Sequence, residues 1–341
     1  MIEPAEWDDW QDIYEKAPLA AFFQSPAWSG IWERYTDGKF QPAPLLVTVP
    51  SGQQVLIPAT RQRLPLGLGH TWHMAPAGTY GGWLPVPAGD SKPSPLSTED
   101  ARFLLQELCR YCSSMTFRWY PLFTETTVPD VTGQGIEIQS DRSFLIDASV
   151  GEESLQQLLY QSDSRLRRKI AKARRSGIRI RKADSPADWT AYHKIYLESI
   201  GRWNTPPQHV YGQRFFELLA SLPEHCELWL AERKNRPVAG ALFLFGKDHV
   251  VYWHGAFVYE YRSLRPVNLL FVTAIESVCR RGYRWFDFNP SMGLSGVEYF
   301  KRSFGAVPYD CPVIRRTSTV EKMSGAAGKW ARMAGIRRRL Q

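Results

Sequence analysis

The chain has 341 residues, a length that suits two compact cores and a short tail better than one. Hydrophobic residues make up 44% and charged residues 22%, which excludes global disorder, and no apolar run approaches the roughly 20 residues of a membrane-spanning helix. The net charge of +8 is local: residues 165 to 182 hold ten Lys or Arg and no acid. The remainder is therefore close to neutral, which speaks against a broadly nucleic-acid-coating protein and for one anionic contact.

The acidic opening MIEPAEWDDWQDIYEKAP lacks a basic stretch followed by an apolar one, so no secretory signal and a cytoplasmic location are expected. Five cysteines fit reduced, buried thiols there. Helical pieces flank a turn at Ser25 and Pro26, and residues 44 to 62 read as a hairpin closed by Ser51-Gly52. The tract APAGTYGGWLPVP at 75 to 87 has too many breakers for a regular element, and a long loop in a folded domain is a place for function. A helix follows from Asp100 to about Met115, then strands at Phe117 to Tyr120 and Ser143 to Ile146, with a boundary near Asp147. Cys109 and Cys112 fall inside that helix, and His70 and His73 lie in a Gly-rich loop. Neither pair has further ligands at zinc spacing, so no metal is expected.

The second half opens with a helix from near Glu152 that continues through SRLRRKIAKARRSG to a C-cap at Gly177. A strand IRIRKA, a helix from Pro186 to about Ser199, the polar loop RWNTPPQ and a helix from Tyr211 to Leu222 come next. Three strands, ELWLAER, VAGALFLFG and HVVYWHGAF, form an antiparallel meander with turns at Lys234-Asn235 and Lys247-Asp248. The loop EYRSLRP leads to a helix from Val267 to Arg281, stopped by Gly282, and then to the strand YRWFDF. The tail from Thr317 to Gln341 is Gly- and Arg-rich with a weakly amphipathic end, and it reads as a surface helix, a membrane-touching element or a frayed end.

Several residues along this path could carry chemistry. Arg165, Arg168, Lys169 and Lys172 share one helical face and can converge on phosphate or an RNA backbone; the alternative is a solvated helix side. Strand alternation sends Tyr252 and His254 to one face and Trp253 to the other. His254 is a candidate general base, or else a core histidine. Asp287, Asn289 and Ser291 follow a strand end in DFNPS, where site residues gather, although Asx-turn chemistry before Pro290 explains the same pattern. A fixed Lys301 could stabilise an oxyanion in a dry site, against the alternative of a solvated surface lysine.

Meander, loop, helix and strand in the order of residues 227 to 288 resemble the central part of a GNAT domain. The resemblance implies a donor phosphate or thioester near the loop 259 to 266, over the N-terminus of the following helix, which brings Arg262, Arg265 and Asn268 into the candidate site. Pro266 suits the helix start. RSLRPVN lacks the glycines of the R-x-x-G-x-G loop that cradles acetyl-CoA, which speaks against the usual acetyl-CoA pose.

Taken together, VYWHGAFVYEYRSLRPVNLLFVTAIESVCRRGYRWFDFNPS and GVEYFKRSFGA resemble the Fem family of aminoacyl-tRNA-dependent transferases that add amino acids to peptidoglycan precursors, and the wider GNAT branch of cellulose- and exopolysaccharide-associated proteins. The likeness covers about residues 150 to 315; the first half matches chiefly through GTYGGWL, which adds Tyr80 to the substrate-binding candidates. By resemblance, Phe300 shapes the pocket and Lys301 faces the ester carbonyl at the reaction centre. The expected fold is α/β (α+β): two tandem GNAT-like domains, each a mixed, mostly antiparallel sheet flanked by helices. They cover 1–147 and 148–316, the second carrying the active site, with a basic tail at 317–341. The expected activity is amide-forming acyl or aminoacyl transfer to an amine on an envelope precursor or secondary metabolite. No cofactor is expected to be tightly bound; aminoacyl-tRNA or acyl-CoA is the co-substrate, and the acceptor is expected in a cleft between the domains. The alternatives are an acetyl-CoA-type N-acetyltransferase and a non-catalytic adaptor of envelope polysaccharide machinery.

Overall fold

A computed structural model describes residues 1–64, 69–87, 94–131, 135–162, 164–202 and 210–318. Most of the loop expected at RWNTPPQ and nearly all of the basic tail lie outside the described residues. The chain divides into two units: Met1–Ala17 with Phe23–Ser140 and the segment from Cys311, and Pro18–Phe22 with Asp141–Asp310.

The first unit holds helices α1 (Trp7–Lys16), α2 (Pro26–Tyr35) and α3 (Thr98–Tyr111). Ser25 starts α2 by accepting the Trp28 amide at 3.1 Å, and Ser97 starts α3 by accepting the Asp100 amide at 3.0 Å. Its strands are β1 (Ile2–Pro4), β2 (Phe40–Pro42), β3 (Leu45–Thr48), β4 (Gln54–Ile57), β5 (Thr60–Arg63), β6 (His70–His73), β7 (Leu84–Pro85), β8 (Met115–Arg118) and β9 (Ile136–Gln139). The expected hairpin is β3–β4, with Leu45 opposite Ile57, and it forms the four-stranded sheet β1-β3-β4-β7. Leu104, Leu105 and Leu108 of α3 pack with Trp83, Phe117 and Trp119 in this unit's core.

The second unit runs β10 (Arg142–Asp147), α4 (Glu152–Ser162), α5 (Ser164–Arg175), β11 (Ile178–Lys182), α6 (Pro186–Ile200), α7 (Gln213–Ala220), β12 (Cys226–Arg233), β13 (Arg236–Phe245), β14 (His249–Phe257), α8 (Pro266–Arg280), β15 (Trp285–Asp287), α9 (Ser295–Arg302) and β16 (Val307–Asp310). Helix was expected from Glu152 to Gly177, and α4 and α5 cover that stretch on either side of residue 163, which lies outside the described residues. The seven strands make one sheet in the order β11-β12-β13-β14-β15-β10-β16, antiparallel throughout except for β14 beside β15. Leu166, Ile170 and Ala173 recur at helical spacing on α5 and pack into the core with Leu270, Phe271 and Ile275 of α8.

The last strand, β17 (Val313–Arg316), returns to the first unit and inserts between β8 and β9 in the six-stranded sheet β2-β5-β6-β8-β17-β9. Strand pairing thus divides the chain differently from cuts at 147 and 316. β10 pairs with β15 and β16, so the second unit begins at Asp141, while Cys311 onward belongs to the first. A local pattern shows that a segment is a strand but not which sheet accepts it. No helix among the described residues is long and apolar enough to cross a membrane.

Candidate active site

The parallel pair in the second sheet is short. β14 meets β15 at His249, Val250 and Val251, opposite Trp285, Phe286 and Asp287, and β14 then runs on to Phe257 with no strand among the described residues beside that edge. β15 ends at Asp287, so the pairing stops there while β14 continues; in α/β sheets, ligands gather at the carboxyl ends of such strands. The Tyr259–Leu264 turn and the start of α8 follow directly from that end of β14.

Within β14 the register slips: Phe243 pairs with Tyr252 and its neighbour Leu242 pairs with His254, so Trp253 is the extra residue of a β-bulge. The bulge overturns the expected alternation. Tyr252 turns to the α8 side and packs on Phe271 at 4.7 Å, while both Trp253 and His254 face α6 and α7. A strand period of two holds only where pairing is one to one, and a bulge resets it. Two glycines make room for this: a Cβ at Gly255 would lie 2.3 Å from the Tyr252 hydroxyl, and one at Gly240 would lie 2.5 Å from the Tyr192 ring.

His254 sits in an aromatic enclosure of Tyr192, Tyr196, Tyr211, Phe216 and Trp253, with Tyr196 at 4.7 Å edge-on. Its Nδ1 is 2.5 Å from the Tyr192 hydroxyl. Burial lowers its pKa to about 3 and pushes the Tyr192 phenol well above 10, so both partners are neutral at pH 7. Of the two roles open to it, general base or core histidine, a ring so reluctant to take a proton suits the second better. This enclosure was not legible in the sequence: Tyr192 and Tyr196 read as ordinary helix positions, and only the packing of α6 and α7 on β14 brings them to His254.

α8 begins without a glycine. Arg265 adopts the left-handed conformation (φ 62°, ψ 37°) at the N-cap, Pro266 occupies the first turn, and Asn268 is buried at the third position. A non-glycine residue there costs about 1–2 kcal/mol. The first amides of α8 lack intrahelical partners, as at any helix start. Arg262 is exposed, with its guanidinium stacked 3.8 Å above the Tyr259 ring.

The DFNPS segment is a latch. Asp287 is fully buried; its Oδ1 accepts the Ser143 hydroxyl (2.5 Å) and the Asn289 amide (2.6 Å), and its Oδ2 lies 3.0 Å from His249 Nε2. The Asn289 contact is an Asx turn, so the local reading of this motif accounts for Asp287. Asn289 is left-handed (φ 64°) and its carbonyl accepts a hydrogen bond from Lys301 Nζ. Lys301 is 2% exposed, far from a solvated surface lysine, and its ammonium lies 5.7 Å from the Phe144 ring. Ser291 Oγ is buried, with no hydrogen-bond partner among the described residues. Phe300 packs on Phe271 at 5.4 Å, so Tyr252 of β14, Phe271 of α8 and Phe300 of α9 form one aromatic group.

On α5, Arg165, Arg168 and Lys172 are exposed and Lys169 half-buried, opposite the apolar side. Two of the three basic residues that follow on β11 are paired with acids, Arg181 with Asp188 and Glu232 and Lys182 with Glu227, while Arg179 donates to the Asn235 side chain. Arg165 donates a hydrogen bond to the Tyr299 hydroxyl, tying α5 to the helix that carries Phe300 and Lys301. Tyr80 belongs to the first unit and is fully buried between Phe23 and Tyr120, so its ring contributes to that core. His73 bonds to Gln62, and burial with Arg315 nearby lowers its pKa to about 4. Burial and the Cys109 neighbour push Cys112 up to about 12. Among the described residues no group of three His, Cys, Asp or Glu could hold a metal ion.

The segment from α5 to α9 matches a family model described as an acetyltransferase (GNAT) domain, over residues 162–302. This segment is a GNAT domain. The whole chain is similar in fold to FemX, with a TM-score of 0.64 and 12% identity over 92% of this chain and 96% of that one. It is also similar to L-PGS from Bacillus licheniformis (TM-score 0.55, 10% identity, 96% of each chain). The C-terminal domain of a putative lysylphosphatidylglycerol synthetase from Agrobacterium fabrum shares the fold too (TM-score 0.55, 11% identity, 94% and 95% covered). Identities this low establish the fold alone. No curated protein sequence matches the chain.

Proposed function

We propose that the GNAT domain of this chain forms an amide bond between an activated acyl donor, aminoacyl-tRNA or an acyl thioester, and an amine on a cell-envelope precursor or secondary metabolite. The observation that carries this reading is the short parallel β14–β15 pair, with β14 bulged at Trp253 and continuing past it, the start of α8 following β14 and the Tyr252–Phe271–Phe300 group beside it.

In this reading the donor carbonyl lies along the unpaired edge of β14, and the donor phosphates meet the α8 N-terminus with Arg262 and Arg265. The amine attacks the carbonyl carbon, the acyl–oxygen or acyl–sulfur bond breaks, and the developing oxyanion needs fixed donors in a dry site. Lys301 supplies positive charge there, its direction set by the Asn289 carbonyl. The neutral His254 orients a substrate by hydrogen bonding, so the acceptor amine enters as the free base or loses its proton to water. Positioning and electrostatics do most of the catalysis.

A second reading, acetyl transfer from acetyl-CoA, draws support from the left-handed Arg265, which makes the phosphate-loop turn without glycine. Incubating the full chain with charged tRNA or with acetyl-CoA, and measuring donor affinity and amide formation on an amine panel by mass spectrometry, separates the two. Affinity for neither donor overturns both.

A further inference from the structure

We propose that the second unit docks on an anionic lipid bilayer through the apolar segment Met292–Tyr299 together with the basic face of α5. Among the described residues, four of the thirteen exposed large hydrophobic side chains fall in this stretch of eight: Met292 (75% exposed), Leu294 (61%), Val297 (38%) and Tyr299 (54%). Such clustering is unusual on a water-facing surface and marks a contact site. Met292 and Gly293 are both left-handed, and the Leu294 amide closes the turn on the Ser291 carbonyl, which leaves Met292 at an exposed turn tip. Leu294 and Val297 follow three residues apart at the start of α9, so they share one face.

The charge lies next to this segment. Arg165 bonds to Tyr299, so the basic helix begins where the apolar segment ends. Arg168 and Lys172 continue along α5, both exposed, over about 10 Å of helix. Residues 164–175 contain no acid, and Glu298, half-buried, is the one acid between 291 and 302. An apolar wedge beside the exposed cations Arg168 and Lys172 matches a surface that is negative outside and hydrocarbon within: Lys and Arg are drawn to an anionic leaflet, and buried aliphatic groups add to that attraction. Nucleic acid explains the cations but not the wedge, because phosphate contacts and base stacking make no use of exposed Met, Leu and Val. The docking does not depend on the acyl-transfer reading.

The test is co-sedimentation of the full chain with vesicles of phosphatidylcholine alone and of phosphatidylcholine with phosphatidylglycerol at roughly 7:3, in about 0.1 M salt. The expected result is partition to the anionic vesicles only. Met292→Asp with Leu294→Asp should lower it at least about tenfold, as should Arg168→Glu with Lys172→Glu. All four residues are exposed, so both variants should keep the parent melting temperature, which circular dichroism checks. The proposal is overturned by anionic-vesicle binding that neither double variant reduces, by equal binding to neutral vesicles, or by binding to uncharged tRNA with none to vesicles.

Discussion

The Gly78–Leu84 tract and the Tyr252–Gly305 segment both read as site material in the sequence, and the structure assigns them opposite physical tasks. In the first, glycine serves contact. A Cβ at Gly81 would fall 2.2 Å from the Met74 carbonyl oxygen, Gly82 is left-handed against the Phe123 ring, and Tyr80 is fully buried. In the second, the β14 edge beyond Val251 has no strand partner among the described residues, and a non-glycine residue, Arg265, holds the left-handed turn before α8. Glycine content therefore marks close packing as readily as ligand approach, and only the neighbours distinguish the two.

The sharpest test of that contrast is Gly81→Ala. The displaced atom is backbone, so the first unit should lose about 3 kcal/mol or more, read as a fall in the urea midpoint. Near-normal stability would mean that the tract is free to move and would restore it as a candidate site. Lys301→Ala should lower the rate of amide formation roughly a hundredfold, the cost of losing one oxyanion donor, with a smaller change in KM. Lys301→Met separates charge from packing: it should keep the fold and not the rate. If Lys301→Met reacts like the parent, the buried ammonium is structural and Phe300-Lys301 is not the reaction centre.

His254 gives a pH signature. Its folded pKa is depressed to about 3 while the unfolded value is near 6.5, so between these values the unfolded chain binds a proton that the folded chain refuses. Its contribution to stability is whole above about pH 6.5 and falls toward pH 3 by about 1.4 kcal/mol per unit. His254→Gln should flatten that part of the stability profile measured by denaturant titration, leaving the share from His73, lowered to about 4 in the other unit. An unchanged slope would mean that the histidine is solvated and available as a base. The smallest effect is expected from Tyr192→Phe, which removes one hydrogen bond to His254 and should cost about 1 kcal/mol in the second unit, with no effect on the first.

The sequence by itself determined the main elements of the GNAT domain: the meander β12–β13–β14, the helix α8 with Pro266 at its start, the strand within YRWFDF and the basic face of α5. These follow from periods and caps, which are local. The tertiary structure decided the rest. A bulge exists only relative to a partner strand, so the side on which Tyr252 and His254 fall depends on β13. Whether Lys301 is solvated depends on the turn at Asn289, and that turn is fixed by Asp287 with His249 and Ser143 from two other strands. Membership of β10 and β17 in one unit or the other depends on which sheet edge accepts them. Local chemistry specifies what a segment can become, while burial, charge and exposure at a site are properties of what packs against it.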